Sequence, residues 1–450
     1  MGNALSAQQE GLNVTGQNVS NVNTPNYVEQ SVVLQTATDG GVSIQGVDRE
    51  FNSFTNSQVL VAQASNSAAN ARSGALNEAQ NVIAPPGGGS IGGQLTSFFS
   101  AVQELSASPA DTSARSGVLE QADTLAQSFS TAATGLQQQQ AAIYGQAQGL
   151  VTQVNGDLKQ IAQLNSQITQ ATATGGYASD LETQRDALVS DVATQMGASV
   201  VQDPSGSVTL FAGGTALVSG NTAASLGVDL DSSGAMQFTV NNPGGAPDDI
   251  TSQVTTGALG GLREARDVDI AQSAAQLDQL AYNVATSVNS VQQSGVGLDG
   301  VSGRPLFTPP TQVAGAAAAM QVDPSVEGQP NNVAAASSAA DLPGGNDVAL
   351  QLADLANQSI GSEGTPSQEY AALTSQIGNA ASAASSASTT SQAMLTQAQN
   401  LNSSASGVSL QQEMVNLTQF QQGFQAATQV LQTVNQLLGE FMNQMASVTA

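Results

Sequence analysis

The chain has 450 residues, 34 acidic and 8 basic side chains, a formal charge of −26 and a pI near 4.1. That length allows two or more domains, and so acidic a surface is repelled by nucleic acid and anionic lipid, which argues against both as partners. Cys, His and Trp are absent, which removes Ser-His-Asp and Cys-His triads, ordinary zinc and haem ligation and disulfides, so no metal or cofactor is expected.

The first residues, MGNALSAQQEGLNVTGQ, have neither a basic n-region nor an apolar h-region, so no cleavable secretory signal is expected. Nor does any stretch reach the roughly 20 apolar residues that span a bilayer. Residues 3–22 read as a helix with Leu5, Leu12 and Val19 repeating every seventh position, half of a coiled-coil seam. It ends beyond Asn21 at Thr24-Pro25-Asn26-Tyr27, a turn, because Pro25 cannot continue a helix and Asn26 tolerates positive φ. An extended pair, Tyr27–Gln35 and Val42–Val47, follows, joined through Asp39-Gly40-Gly41. Helical spacing resumes near Phe51, Phe54, Val59 and Leu60 and runs to about Ile83.

APPGGGSIGGQ is a loop. Its nominal G-x-G-x-x-G at Gly87, Gly89 and Gly92 follows Pro85 and Pro86, not a strand, and lacks the context of a phosphate site. Helices are predicted over about 94–107, 112–140, 142–172 and 180–196, the last with Ser179 or Asp180 as N-cap. Between 198 and 256 short runs such as SVTLF and MQFTVN, punctuated by Gly and Pro, predict a small β domain. Asp229 and Asp231 imitate the start of a calcium loop, but its twelfth position is Val240, so the run reads as a β-turn. Arg185 and Asp186 read as a structural ion pair or a helix-surface pair, not as catalytic groups. Helix returns at 258–294. Residues 300–347, rich in Gly, Pro, Ala and Ser, read as irregular and surface-bound. Helices at 348–358 and 367–404 precede a terminal helix. There Leu410, Met414, Leu417, Phe420, Phe424, Ala427, Leu431, Val434, Leu438 and Phe441 recur at steps of three and four, again a coiled-coil period.

This pattern predicts a mainly α, elongated, discontinuous multidomain rod. Residues 1–38 with 408–450 form a terminal coiled-coil core domain. Residues 39–197 with 257–407 form a helical middle domain, and 198–256 an outer β domain at the far tip. Both termini lie at one pole. Such a layout points to assembly, not catalysis. A carboxylate glycosidase would need a carboxyl pair across a cleft with aromatic sugar platforms, and no such pair stands out.

Several segments add a resemblance. NVTGQNVSNVNTPNYVEQ (13–30) resembles the N-terminal signature of flagellar axial proteins, the rod, hook and hook-associated proteins. GVSIQGVDREFNSF (41–54), FFSAVQELSASPADTSAR (98–115) and IAQLNSQITQATATGGYASDLETQRDALVSDVATQMGASV (161–200) resemble the hook-associated protein 1 family within that group. GVSLQQEMVNLTQFQQGFQAATQVLQTVNQLL (407–438) resembles its C-terminal signature. The segments stand in family order over nearly the whole chain.

The resemblance implies a structural, non-enzymatic component of the extracellular flagellum, exported unfolded by the type III apparatus with an export chaperone. It implies self-assembly into a ring, with hook protein below and a second hook-associated junction protein above. The residues expected at assembly contacts are Leu5, Leu12, Val19, Asn21, Pro25 and Tyr27, with Leu410, Met414, Leu417, Phe420, Phe424, Leu431, Val434, Leu438 and Phe441. The chain departs from the family pattern in a short stretch before Ala4-Leu5, in Asn26 where the turn usually has Gly, in Glu29-Gln30 where Arg-Gln is common, and in a small outer β region. The alternatives are another axial protein, such as the hook protein or the second junction protein, and a secreted acidic adhesin.

Overall fold

The structure, a computed structural model, describes residues 2–24, 27–36, 41–86, 89–174, 178–361 and 364–448. The expected turn at Pro25-Asn26, most of the Asp39–Gly41 connection and Gly87 lie outside them. Helix α1 (Gly2–Asn21) packs against α10 (Leu410–Val448), so the two ends of the chain form one helical hairpin. Strands β1 (Gln30–Thr36) and β2 (Val42–Arg49) pair antiparallel beside α1. Two long helices then run past each other, α2 (Ser53–Ile83) away from the hairpin and α9 (Pro366–Ser406) back towards it. Thr55 Oγ1 donates to Asn402 Oδ1 (2.7 Å) at one end of this pair, and Tyr370 OH to the Ile83 carbonyl (3.0 Å) at the other.

Local chemistry sets the ends of these helices. The Asn52 side chain accepts the Phe54 and Thr55 N–H groups, and Thr365 with Gln368 closes a capping box around Pro366 at the first turn. The remaining helices are α3 (Ile91–Ala107), α4 (Thr112–Ala173), α5 (Ser179–Met196), α6 (Gly257–Glu264), α7 (Ala271–Ser294) and α8 (Asp347–Asp354). The spacing predicts two helices where the structure has the single 62-residue α4, about 93 Å long. Nothing in Gln139-Gln140-Ala141-Ala142 breaks a helix, and the buried stripe Leu136, Ile143, Ala147 runs straight through. At the start of α5 the expected side-chain cap is not formed. Ala178 occupies the cap position, and Ser179 Oγ instead donates to the Val47 carbonyl on β2 (3.2 Å). Between α6 and α7 a π-turn, Ala265–Ile270, lets the Gln140 side chain donate to the Arg266 carbonyl (3.3 Å).

The segment from Ser199 to Asp249 forms two antiparallel sheets, β3-β4-β5-β6 and β7-β8-β9 (Ser199–Gln202, Val208–Ala212, Thr215–Ser219, Thr222–Ala223, Ser225–Leu230, Met236–Asn241 and Asp248–Asp249). Buried Val208, Leu210 and Ala212 alternate with half-exposed neighbours, as do Met236, Phe238 and Val240, the period-2 signature of a sheet covered on one face. The β7–β8 connection is the turn expected of the Asp229–Gly234 run. Asp231 Oδ1 accepts from Ser233 N, Ser233 Oγ and Ala235 N, and Gly234 sits at φ +82°.

The sheets are not at the far tip. Asn155 exchanges two 2.8 Å hydrogen bonds with the Leu226 backbone, and Asn165 binds the Val208 and Gly220 carbonyls and the Val208 N–H. These asparagines lie on the C-terminal half of α4, so the sheets flank the rod near the terminal hairpin. The reason is length: α5 has 18 residues against 62 for α4, so the chain leaves the helical body low down. The segment leaves and rejoins at adjacent points. Gly197 and Gly257 both have positive φ, and a Cβ on Gly257 would strike the Met196 backbone. The apolar core runs unbroken from the helices into both sheets.

The far end of the rod is built instead from α3, α8 and the irregular stretch 295–346. That stretch is irregular as predicted, but it is not a surface wrapping. Leu306, Phe307, Ala317, Val326, Val333 and Ala335 are fully buried. Asn289 stands in for a strand: its Nδ2 donates to the Phe307 carbonyl and its Oδ1 accepts the Leu306 and Phe307 N–H groups. Phe307 then packs on Phe98, with ring centroids 5.9 Å apart.

Candidate assembly interface

The α1–α10 hairpin brings the two predicted stripes together unequally. On α10, Leu417, Phe420, Phe424, Ala427 and Leu431 are half-buried along the side that faces α1. On α1 the buried side is Ala7, Gly11, Val14, Thr15 and Asn18, while Leu5, Leu12 and Val19 are only half-buried. The seven-residue repeat therefore does not coincide with the buried side of the helix, which α10 and the β1–β2 pair cover together. Side-chain size decides this. The Phe420 ring rests on Gly11, where a Cβ would overlap the ring, and Gly423 lies against Gln8. Small positions on one helix receive the large residues of the other.

The hairpin is also unequal in length. At 20 residues, α1 covers about 30 Å, while α10 at 39 residues extends about 58 Å. Beyond Leu431 the stripe continues past the end of α1, and it is exposed among the described residues. Val434, Leu438 and Phe441 are 36%, 54% and 57% exposed, and Leu437, Met442 and Met445 are exposed beside them. At the other end of α10, Leu410 and Met414 are exposed as well.

A polar joint fastens this hairpin to the rest of the molecule. Asn18 is buried; its Nδ2 donates to the Gln30 carbonyl (2.8 Å), and its Oδ1 accepts from Gln30 N–H and Tyr27 OH (both 3.0 Å). Asn21 ends α1 by donating to the Gln17 carbonyl and accepting from Thr24 Oγ1. Glu29 ties three elements. Its N–H donates to the Ser406 carbonyl (3.0 Å), its carbonyl accepts Glu50 N–H (2.9 Å), and its carboxylate accepts Ser409 N–H (3.4 Å). Burial pushes the Glu29 carboxyl above the usual range. The Ser409 N–H opposes this, and the Glu413 and Glu50 carboxylates add to it. Tyr27 is raised first by burial, then by Asp180 and Glu413. Glu413 itself is 1% exposed, with Oε1 accepting from Asn416 and Oε2 unpartnered among the described residues.

Comparison with known proteins follows the same outline. The family model described as "Flagellar hook-associated protein FlgK helical domain" matches residues 76–307, just over half of the chain. The chain belongs to the flagellar hook-associated protein 1 (FlgK) family. Two further models match the termini: "Flagella basal body rod protein" over 2–27 and "Flagellar basal body rod FlgEFG protein C-terminal" over 397–445.

Flagellar hook-associated protein 1 of Salmonella typhimurium (strain LT2) is 32% identical over 319 residues, 68% of this chain and 58% of that protein. The chain thus spans less than two thirds of that relative. The proteins of the same name from Escherichia coli K12 and Bacillus subtilis 168 are 26% and 27% identical, each over 98% of this chain and 98% and 96% of their own lengths. The flagellar hook junction protein FlgK from Burkholderia pseudomallei shares the fold, with a TM-score of 0.69 at 20% identity over 78% of this chain and all of that one.

Within this FlgK-family chain, two of the segments that carry the resemblance meet in space. Arg49, from GVSIQGVDREFNSF, places Nη1 3.3 Å from Glu182 and Nη2 2.9 Å from Asp186, both in LETQRDALV. It also lies 5.5 Å from the centre of the Phe51 ring. Asp186 turns its other oxygen to Arg185 (2.9 Å), the ion pair expected from the sequence, and Arg185 Nη1 reaches the Gly206 carbonyl (2.5 Å). This network locks the β1–β2 root to α5 and to the sheets. Sequence reasoning found the Arg185–Asp186 pair but missed Arg49, Asn18 and Gly11. Arg49 and Asn18 stood inside quoted motifs; only their distant partners give them a role. Among the described residues no group of three or more metal-ligating side chains is present, and no helix is long and apolar enough to cross a membrane.

Proposed function

We propose that this chain forms the ring that joins hook to filament, self-assembling through its terminal helices, with hook protein below and the second hook-associated junction protein above. The observation that carries the reading is the exposed apolar stripe on α10 from Val434 to Phe441. A helix with that much exposed apolar surface is stable only against another helix, and α1 is too short to supply it. Leu5, Leu12 and Val19, turned off the intrachain seam, offer a second apolar edge to a neighbour. The domain division 1–38 with 408–450, 39–197 with 257–407, and 198–256 assigns these parts to inner core, helical wall and outer β segment. Its role is structural rather than catalytic, and its place is the extracellular flagellum. Export runs through the type III system, and the apolar tail of α10 is the surface an export chaperone would cover beforehand.

The test is genetic. A strain lacking the chain should shed flagellin into the medium and carry bare hooks, and the wild-type gene should restore filaments. Leu438→Asp and Phe441→Asp should fail to restore them, because both positions are exposed in the monomer and each variant buries an unpaired carboxylate on assembly, at several kcal/mol per site. Filaments attached normally in the deletion strain would refute the reading.

A further inference from the structure

Away from the terminal hairpin, an uncovered apolar groove lies between α2 and α9. Phe54, Val61, Met394 and Leu401 line it at 69%, 68%, 60% and 49% exposure, around a volume of about 440 Å³. Its setting is uncharged. From Ser53 to Ala71 on α2 and from Tyr370 to Ser406 on α9 there is no Asp, Glu, Lys or Arg. No acidic partner is repelled there and no basic partner is drawn there, yet the molecule as a whole carries −26.

From these observations we propose that the α2–α9 groove is the lateral docking face for a second copy of this chain. Two molecules this acidic repel each other wherever like charges come within the roughly 8 Å Debye length of physiological salt. Close approach is therefore tolerable only where at least one surface is free of charge. The α2–α9 face meets that condition over most of two long helices, and the groove in it supplies apolar area to bury. In a closed ring each copy must offer two different surfaces, so the groove receives a part of the neighbour other than its own groove. The proposal rests on the ring reading above and gives that ring a contact outside the terminal helices.

The chain has no cysteine, so Met394→Cys gives a single attachment point. Labelled there with a benzophenone maleimide, the protein is assembled on cells, illuminated, and recovered with hooks and filaments. The expected product is a covalent species of twice the 45.1 kDa chain mass, whose joined peptide comes from this chain outside residues 53–65 and 391–406. Crosslinks only to another flagellar protein, only from groove to groove, or none at all would overturn the proposal.

Val61→Asp and Met394→Asp supply a second readout. Both positions are exposed, so the melting temperature of the monomer should stay unchanged while filament-bearing hooks fall roughly 100-fold. Normal filament attachment in both, alongside loss in Phe441→Asp, would sink the groove and leave the junction reading standing. Normal attachment in the deletion strain would sink the junction reading itself.

Discussion

Two long amphipathic stripes of the molecule, on α4 and α10, end in opposite conditions. Along α4, Val118, Leu125, Phe129, Leu136, Val154 and Ile161 are all completely buried among α3, α5, α7 and the sheets. Along α10 the same kind of repeat passes from half-buried at Phe420 and Phe424 to exposed at Leu438 and Phe441. Both are legitimate helix faces. One has found its partner within the chain; the other stays exposed, and under the proposed function its partner is a neighbouring molecule. On that reading equal apolar residues contribute to different equilibria, folding in the first case and assembly in the second.

Paired substitutions separate these equilibria most strongly. Phe129→Ala should destabilise the monomer by about 3–5 kcal/mol through the cavity it leaves, readable as a large drop in melting temperature. Phe441→Asp should leave the monomer within about 0.5 kcal/mol of wild type while abolishing filament attachment. A monomer melting shift in Phe441→Asp comparable to that of Phe129→Ala would erase the distinction between the regions.

Intermediate effects belong to the hairpin, where folding and assembly overlap. Asn18→Ala strands the Gln30 backbone groups and the Tyr27 hydroxyl, and should cost about 1–3 kcal/mol. Hydrogen exchange should show the loss confined to α1, β1 and the start of α10. Gly11→Ala drives a methyl into the Phe420 ring and should cost about 1–3 kcal/mol by overpacking, loosening α1 from α10 while α2 to α9 keep their protection. Uniform loss of protection in either variant would show that the hairpin and the middle of the molecule unfold as one unit.

The smallest effect is electrostatic. The native state raises the Glu29 carboxyl through burial, with Glu413 and Glu50 adding to it, so the folded form holds that proton more tightly than the unfolded chain. The Glu29 contribution is fully present below the ordinary glutamate value of about 4.3 and is lost as pH rises through the raised one. Asp157, raised by burial and then by Asp191, has the same sign. The readout is therefore the difference between wild type and Glu29→Gln in melts across this range. The variant should lose part of the decline with rising pH, and identical curves would show that the joint contributes nothing.

Legibility in the sequence followed how local each feature was. Element types came from short-range periodicity and punctuation, so the terminal helices, the β1–β2 hairpin, α9 and the 198–256 strands were readable. Where a local rule had competing outcomes, the reading slipped. Ser179 reads as a cap but spends its hydroxyl on Val47. The stretch 300–347 reads as surface because it lacks periodicity, yet Asn289 satisfies its backbone and lets Phe307 enter the core. For the candidate interface, the α10 stripe was legible throughout, whereas on α1 periodicity marks Leu5, Leu12 and Val19 and the structure buries Ala7, Gly11 and Val14 more deeply.

By itself, then, the sequence determined the helical rod character, the acidic and cysteine-free chemistry, the terminal stripes and the family motifs. Each depends on composition or on residues within a few turns of one another. Only the tertiary structure decided which side of α1 meets α10, because that choice depends on whether a Phe420 ring can settle on Gly11. It alone put the sheets beside the C-terminal half of α4, through Asn155 and Asn165, and joined Arg49 to Glu182 and Asp186 across more than 130 positions of sequence. Periodicity fixes which residues share a face; shape and hydrogen-bond partners brought in from elsewhere in the chain fix what that face touches.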